Sequence, residues 1–121
     1  MSIRKLEKRV IIQASGYKKQ KLYPATVIGA QYSYFKKLDK SGPINSFNIV
    51  KKLRNKLTSI GELYSKQNGN TIGCCAEVNA SNQILIKRPN TELSKIKFTK
   101  AIRPRTMQEV PRCQNCKLTF E

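Results

Sequence analysis

The sequence contains no histidine, and only 7 of its 121 residues are Asp or Glu. Without histidine, any zinc site in this chain has to be built from cysteine and carboxylate ligands. Long apolar runs are also missing, since no stretch approaches the roughly 20 consecutive apolar residues of a membrane-spanning helix. The residues that follow Met1 are charged, and so they do not form the apolar region of a signal peptide. We therefore predict a chain with neither a signal peptide nor a transmembrane segment.

Positive charge is present in large excess. Lys and Arg number 24 against 7 acidic residues, which gives a net charge of +17. A small domain needs far less charge than this to remain in solution. We therefore expect a polyanionic partner, which can be nucleic acid, an acidic protein or a membrane surface. The alternative is a basic surface that serves solubility alone.

The apolar patterning predicts a single domain of mixed α/β class. Residues 1–22 form a basic N-terminal lead-in with helical or strand-like character, and residues 23–121 form the main domain. Within it, two adjacent β-rich stretches predict a hairpin, and apolar residues spaced three and four apart predict helices. The predicted elements are strands at 23–34 and 35–38, a helix at 47–65 capped by Ser46, a helix at 75–87, a strand at 94–102 and a short last helix that Pro111 starts.

The four cysteines occur in two short segments. Cys74 and Cys75 are adjacent, which is a poor arrangement for two separate disulfides, and Cys113 and Cys116 have the C-x-x-C spacing of metal and redox sites. Cys75 opens one predicted helix and the C-x-x-C pair opens another, and helix N-termini favour thiolates. The chain between them is long enough to lay both helices on one face of a sheet. We predict that Cys75, Cys113 and Cys116 bind a metal and that Cys74 is a small buried residue.

Glu77 lies two positions after Cys75 and has a separate predicted role. Three protein ligands leave one tetrahedral position of zinc open for water, as in catalytic sites. Glu77 is placed to move a proton on and off that water. The segments Cys75-Ala76-Glu77 and Pro111-Arg112-Cys113-Gln114-Asn115-Cys116 match the pattern of zinc deaminases with three cysteine ligands, except that Arg112 follows the proline. A disulfide scaffold, a redox pair and half a zinc ribbon are the alternatives.

Aromatic and basic residues supply candidate substrate contacts. Tyr32 and Tyr34 can stack on a flipped base, with core packing as the alternative. Arg103 and Arg105 can offset the negative charge of three thiolates or contact phosphate. Asn115, between the two late cysteines, completes the candidate set.

Four segments between residues 23 and 120 carry a resemblance to one protein family. They are Tyr23-Pro24-Ala25-Thr26-Val27-Ile28-Gly29-Ala30, Gly73-Cys74-Cys75-Ala76-Glu77-Val78-Asn79-Ala80-Ser81-Asn82, Ala101-Ile102-Arg103-Pro104-Arg105-Thr106, and Pro111-Arg112-Cys113-Gln114-Asn115-Cys116-Lys117-Leu118-Thr119-Phe120. In these segments the chain resembles the YwqJ-like deaminases of bacterial polymorphic toxins, which belong to the cytidine deaminase-like superfamily. The first segment is similar to the first strand of that family.

The resemblance implies a compact three-layer α/β/α sandwich that is short at its C-terminus. It implies Zn²⁺ on Cys75, Cys113 and Cys116, with Glu77 as the proton shuttle. The implied activity is zinc-dependent deamination. The net charge of +17 and the aromatic residues lead us to expect cytosine in nucleic acid as the substrate, converted to uracil, with single-stranded DNA favoured and RNA as a second substrate class. Residue 78 is Val, where cytidine deaminases that act on free nucleosides through three cysteines tend to have Arg.

The family also implies a biological setting. Such domains act as toxins in the cytoplasm of a target bacterium, and their partner is often an immunity protein, which for this basic chain is expected to be acidic. Two other functions stay open from the residues themselves. One is deamination of free nucleosides or nucleotides, and the other is a non-enzymatic zinc module that binds nucleic acid.

Overall fold

The computed structural model describes residues 3–121, and the chain is of mixed α/β class, as predicted. Residues 1 and 2, the start of the predicted lead-in, lie outside this range. Among the described residues, no helix is long and apolar enough to cross a membrane. The elements are α1 (Arg4–Lys19), β1 (Val27–Tyr32), β2 (Phe35–Lys40), α2 (Lys51–Thr58), β3 (Lys66–Gln67), β4 (Asn70–Thr71), α3 (Ala76–Lys87), β5 (Lys97–Phe98), β6 (Ala101–Arg103), β7 (Gln108–Val110) and α4 (Gln114–Phe120), with short 3₁₀ helices at Ser46–Asn48 and Leu93–Lys95.

A five-stranded antiparallel sheet forms the centre of the fold. Its main path runs β2-β1-β6-β7, and β5 also pairs with β1. The β1–β2 hairpin is in continuous register from Val27 opposite Lys40 to Tyr32 opposite Phe35, which confirms the predicted strand pair. Its two-residue turn places Ser33 at a φ of 53°, in the left-handed region. Strand β1 begins later than predicted, and Pro24 ahead of it lacks the N–H that a ladder position needs.

The two faces of β1 contact different helices. Ile28 and Ala30 belong to the larger buried cluster, which also contains residues of α2, α3 and α4. Val27 belongs to a smaller cluster with residues of α1. A Cβ atom on Gly29 would lie 2.7 Å from Cγ of Leu6 in α1, so this strand position has room only for glycine.

The region around α2 differs from the predicted helix at 47–65. Ser46 is not a helix cap; instead Asn45 Oδ1 accepts the Phe47 N–H at 2.9 Å and caps a 3₁₀ helix, and α2 begins only after Val50. The helix ends at Thr58. Side chains before and after α2 are also buried, in turns and not in a helix. Over a short stretch their spacing resembles the apolar spacing of a longer helix.

The segment that follows forms a small hairpin, β3–β4, which the sequence analysis missed. Its turn residues Asn68 and Gly69 have φ values of 51° and 81°. Residues 67–70 therefore form the turn of a hairpin, and no helix ends directly before them. Both strands have two residues each, too few for a period-2 pattern to be visible.

The predicted strand at 94–102 is divided into β5 and β6. Between them the Thr99 hydroxyl accepts the Gly29 N–H at 2.9 Å, so a side chain replaces a backbone acceptor at this position. After β6 the chain turns, with Met107 at a φ of 58°, and pairs back as β7, which the sequence analysis missed. Helix α4 begins at Gln114 rather than at Pro111.

Candidate metal centre

Two of the predicted ligands occupy the same position in their helices. Cys75 is the residue immediately before α3, and Cys113 is the residue immediately before α4. Their carbonyl groups already accept helical hydrogen bonds, from Asn79 N–H at 3.2 Å and Lys117 N–H at 3.1 Å. Within residues 3–121, the Cys75 sulfur makes no capping hydrogen bond to its own helix, whereas the Cys113 sulfur lies close to the first N–H groups of α4. Both sulfurs therefore remain available to a metal, and the helix starts favour their ionised form.

The three predicted ligand sulfurs come together. The Sγ atoms of Cys75, Cys113 and Cys116 all lie within 4.8 Å of one another, and Cys75 Sγ lies 3.4 Å from Cys113 Sγ. This separation is longer than the roughly 2.05 Å of a disulfide bond. Zinc–sulfur bonds of about 2.3 Å in a tetrahedron place sulfurs about 3.8 Å apart, so the spacing fits one ion. The cluster is therefore a candidate metal site; Cys74 is half-buried beside it.

The metal-free cluster holds its negative charge on one sulfur. Hydrogen bonds from the Cys116 and Cys75 thiols, followed by the backbone N–H groups of Cys116 and Asn115, hold the pKa of Cys113 far below its ordinary value. The hydrogen bond to Cys113 in turn raises the pKa of Cys75. Hydrogen bonds from Cys116 to Cys113 and to Cys75, followed by burial, raise the pKa of Cys116. Without metal, the cluster therefore consists of one thiolate, on Cys113, which accepts hydrogen bonds from the other two thiols.

Glu77 lies in the first turn of α3 and is 6% exposed. Burial is the main cause that raises the pKa of its carboxyl group, and the charge of Cys113 adds to the increase. Hydrogen bonds from its own backbone N–H and from Cys116, and the positive charge of Arg112, oppose it. Arg112 also forms an ion pair with Glu121 at 2.8 Å. A buried carboxyl group with a raised pKa is suited to accept and return a proton.

The cluster opens on a cavity of about 430 Å³, which is within the usual range for small-molecule sites of roughly 300–1,000 Å³. Cys75, Cys113 and Glu77 line it together with Arg103, whose side chain is exposed. Another part of the wall comes from the residues just before β1, the loop at Ser41–Gly42 and strand β4. Two of the three ligand sulfurs, of Cys75 and Cys113, and one buried carboxyl group therefore share a space large enough for a nucleobase.

One residue that the sequence analysis did not single out positions this wall. Asn79 is 4% exposed, and its Nδ2 donates to the carbonyl groups of Lys40 and Gly42, both at 2.8 Å. It thereby joins α3 to the loop that lines the cavity. The available signal was a polar residue two positions after Glu77, in the first turns of the helix that Cys75 opens.

The predicted substrate contacts are divided among several places. Arg103 lines the metal cavity. Arg105 is exposed and lies with its guanidinium group 4.5 Å from the centre of the Tyr23 ring. Tyr32 and Tyr34 do not line the metal cavity; they line a separate one near the C-terminal end of α3.

Asn115 also differs from its predicted role as a substrate contact. It is 2% exposed, and its amide is already engaged with the β3–β4 turn. Its Oδ1 accepts from Asn68 at 2.9 Å, and its Nδ2 donates to the carbonyls of Gln67 and Asn70 at 3.0 and 3.2 Å. Asn115 therefore fixes the hairpin against α4 next to the metal cluster.

Comparisons with known proteins identify no protein that is similar to this chain. No family model matches the chain, and searches of curated proteins and of solved structures also find no match.

Proposed function

We propose that this chain is a zinc-dependent deaminase that converts cytosine to uracil in nucleic acid, with single-stranded DNA as the favoured substrate. One observation carries the proposal. The buried carboxyl group of Glu77 and the sulfurs of Cys75 and Cys113 line the same cavity, and the third sulfur, of Cys116, lies within 4.8 Å of the other two. A module that only binds nucleic acid has no use for a buried carboxyl group beside its metal ligands.

The donor set supports zinc as the metal. Thiolates are soft ligands that select zinc over magnesium or calcium, and three of them leave one tetrahedral position open. Zinc held there would lower the pKa of a water molecule and so supply a nucleophile at neutral pH. The start of α3 and the first N–H groups of α4 offset part of the negative charge of the ligands.

Glu77 would provide the proton transfers that deamination requires. Hydrolysis of cytosine consumes water, releases ammonia and leaves a carbonyl group at C4. We assign Glu77 to accept one proton from the attacking water and pass it to the ring nitrogen N3. It would then accept the remaining proton of that oxygen, now a hydroxyl group on C4, and pass it to the departing amino group, which leaves as ammonia. Its burial supports this role, because the raised pKa reduces the cost of carrying the proton between these steps.

Charge supports a nucleic-acid substrate. The net charge of +17 favours a polyanion, and Arg103 at the cavity is placed to contact a phosphate next to the bound base. We further propose the three-layer α/β/α architecture and the YwqJ-like family for this chain, supported by the packing of α1 and α3 on opposite faces of β1. A role as a toxin domain, active in the cytoplasm of a target bacterium and blocked by an acidic immunity protein, belongs to the same proposal.

The test is a deamination assay on zinc-loaded protein with single-stranded DNA, double-stranded DNA, RNA and free cytidine, read by mass spectrometry for uracil or uridine. We expect uracil in single-stranded DNA. Product from free cytidine alone would favour the nucleoside deaminase instead, and zinc-loaded protein without any product would overturn both enzymatic functions.

A matched pair of variants tests the role of Glu77. Glu77→Gln should lower the rate by at least about 100-fold, the typical contribution of a general acid–base group, while zinc remains bound. Glu62→Gln removes an exposed carboxylate elsewhere and should leave the rate unchanged. Loss of zinc from Glu77→Gln would show that Glu77 is a ligand and not a proton shuttle.

A further inference from the structure

A second cavity lies at the tip of the β1–β2 hairpin, remote from the metal cluster. Its volume is about 540 Å³, and it is formed by the hairpin turn and the C-terminal end of α3. Cys75 precedes the first residue of α3, whereas Lys87 is the last. At 1.5 Å per residue, this 12-residue helix separates the two sites by about 18 Å.

Aromatic rings and cations dominate this second cavity, which we call the hairpin-tip site. Its defining residues are Tyr32, Tyr34, Phe35, Lys87, Arg88 and Thr91. The Tyr34 side chain is 81% exposed, and the Arg88 guanidinium group lies 4.5 Å from the centre of the Phe35 ring. Within the described part of the chain, the residues that line this cavity include no carboxylate. The hairpin-tip site is therefore aromatic and positively charged.

Two buried polar atoms at this end of the sheet lack a partner among residues 3–121. Thr91, which lines the hairpin-tip site, is 2% exposed, and its hydroxyl has no hydrogen-bond partner there. Gln31 is 3% exposed and its Oε1 is likewise unpaired; it lines a neighbouring cavity with Lys95 and Lys97, and both cavities share Ser33. A buried polar group without a partner costs about 1–3 kcal/mol. A ligand that hydrogen-bonds to these atoms would remove that cost.

We propose that the hairpin-tip site binds single-stranded nucleic acid, with a base stacked on Tyr34 and a phosphate held by Lys87 and Arg88. Aromatic side chains beside a positively charged groove are the combination that single strands use, because every base offers a flat face and every linkage a negative charge. Thr91 lines the cavity with its hydroxyl buried, and on binding its side chain would turn this hydroxyl toward the edge of the bound base. An acidic peptide would satisfy the cations but would leave the exposed ring of Tyr34 without a stacking partner.

This inference does not depend on the proposed catalysis. Binding at the hairpin-tip site requires neither zinc nor Glu77, and the site lies outside the metal cavity. If the chain also deaminates nucleic acid, the hairpin-tip site would hold one part of a strand while the metal cavity receives a base from another part.

The experiment measures binding of a fluorescent oligothymidylate of about 12 nucleotides to the full chain by anisotropy. This probe contains no cytosine, so the result is independent of deamination. Tyr34→Ala should weaken binding by about 5- to 100-fold, the range expected for the loss of one stacked base. Phe47→Ala is the matched control, because Phe47 is 88% exposed and lines neither cavity, and it should change binding less than twofold. Equal losses in the two variants would overturn the proposal.

A second pair of variants and two competing polymers distinguish binding at the hairpin-tip site from nonspecific binding that depends on net charge alone. Arg88→Ala should weaken binding more than Arg9→Ala, which removes an exposed arginine from α1; equal losses would mean that only net charge matters. An abasic oligonucleotide and polyglutamate of equal charge should compete weakly. Competition by either one as strong as that of oligothymidylate would overturn base stacking as the mode of recognition.

Thr91→Val tests the hydrogen bond without creating a cavity. Valine has nearly the shape of threonine and removes an unpaired buried hydroxyl, so the melting temperature should be unchanged or higher. Binding of oligothymidylate should weaken by about two- to tenfold. Affinity equal to that of the unmodified chain would overturn the assignment of this hydroxyl to the ligand.

Discussion

Cys75 Sγ lies 3.4 Å from Cys113 Sγ, although 38 positions separate the two residues. The sheet accounts for this approach. Strand β6 pairs with the beginning of β1, Ile102 opposite Val27, and β7 returns along β6 so that Val110 lies opposite Ala101. The chain then needs only three more residues to reach Cys113. Helix α3 packs on β1 and β2 and brings Cys75 to the same end.

The first prediction concerns metal binding by this pair and Cys116. The purified chain should hold a single zinc ion, and Cys75→Ser should weaken zinc binding by more than about 100-fold. Loss of a residue that only hydrogen-bonds to a metal ligand lowers metal affinity by about 10- to 100-fold, and loss of the ligand itself should exceed this effect. Zinc content after dialysis, measured by mass spectrometry, checks this expectation.

Cys74→Ser is the control for that substitution. Cys74 is adjacent in sequence and lines the same cavity, yet its sulfur is not among the three that cluster within 4.8 Å. Its replacement should leave zinc content unchanged. Equal loss of zinc from both variants would contradict the assignment of the ligands.

The second prediction concerns the protons that zinc displaces. Near neutral pH, the lowered pKa of Cys113 makes it a thiolate before metal binds, whereas the raised pKa values of Cys75 and Cys116 keep those two protonated. Because zinc requires all three as thiolates, binding should release two protons, and affinity should rise with pH accordingly. Calorimetry in buffers of different ionisation enthalpy counts them. Release of three protons, as from three independent thiols, would contradict a preorganised cluster.

The sequence was sufficient to predict the individual ligands because cysteine spacing and helix starts are local properties. That the two segments meet, 38 positions apart, followed only from their joint match to the zinc-deaminase pattern. Cys75 was expected to open a helix and does, and the C-x-x-C pair places Cys113 and Cys116 one helical turn apart. The hairpin of β1 and β2 was equally visible, since six consecutive pairs leave a long β-rich pattern. These features depend on residues close in sequence.

The missed features depend on contacts between distant residues. Strand β7 has three residues and gains its partners only when β6 lies beside it. Tyr32 and Tyr34 were grouped with the metal site because they are aromatic and near the first strand, but strand direction carries them to the opposite end of α3. A short stretch of sequence does not indicate which end of a strand lies beside which end of a helix. Asn115 likewise finds its partners 45 to 48 positions away.

The third prediction concerns the pH dependence of stability. Burial raises the pKa of Glu77 above its ordinary 4.5 in the folded state, so the folded chain holds the carboxyl proton more tightly than the unfolded chain does. Stability therefore falls as pH rises from about 4.5 through the folded-state pKa, and it remains lower above that value. Glutamine cannot ionise and avoids this loss. Metal-free Glu77→Gln should match the unmodified protein near pH 4 and melt several degrees higher at about pH 8, since 1 kcal/mol corresponds to roughly 4 °C.

Calorimetric melting curves at the two pH values check this result. Glu62→Gln, which changes an exposed carboxylate, should show no difference at either pH. A stabilisation by Glu77→Gln that is equal at both pH values would indicate altered packing and would contradict a charge effect.

The fourth prediction assigns Asn115 to the structure of the site and not to substrate binding. Asn115→Ala removes three hydrogen bonds between α4 and the β3–β4 turn and leaves the carbonyls of Gln67 and Asn70 without this buried donor. We expect a loss of about 1–3 kcal/mol in the free energy of unfolding, or roughly 4–12 °C in melting temperature. Gln114→Ala, at the exposed neighbouring position, should cost little. Because Asn115 holds the helix that carries Cys116, zinc should also dissociate faster from Asn115→Ala, which chelator-competition kinetics measure. Unchanged stability together with a raised KM would instead assign Asn115 to the substrate.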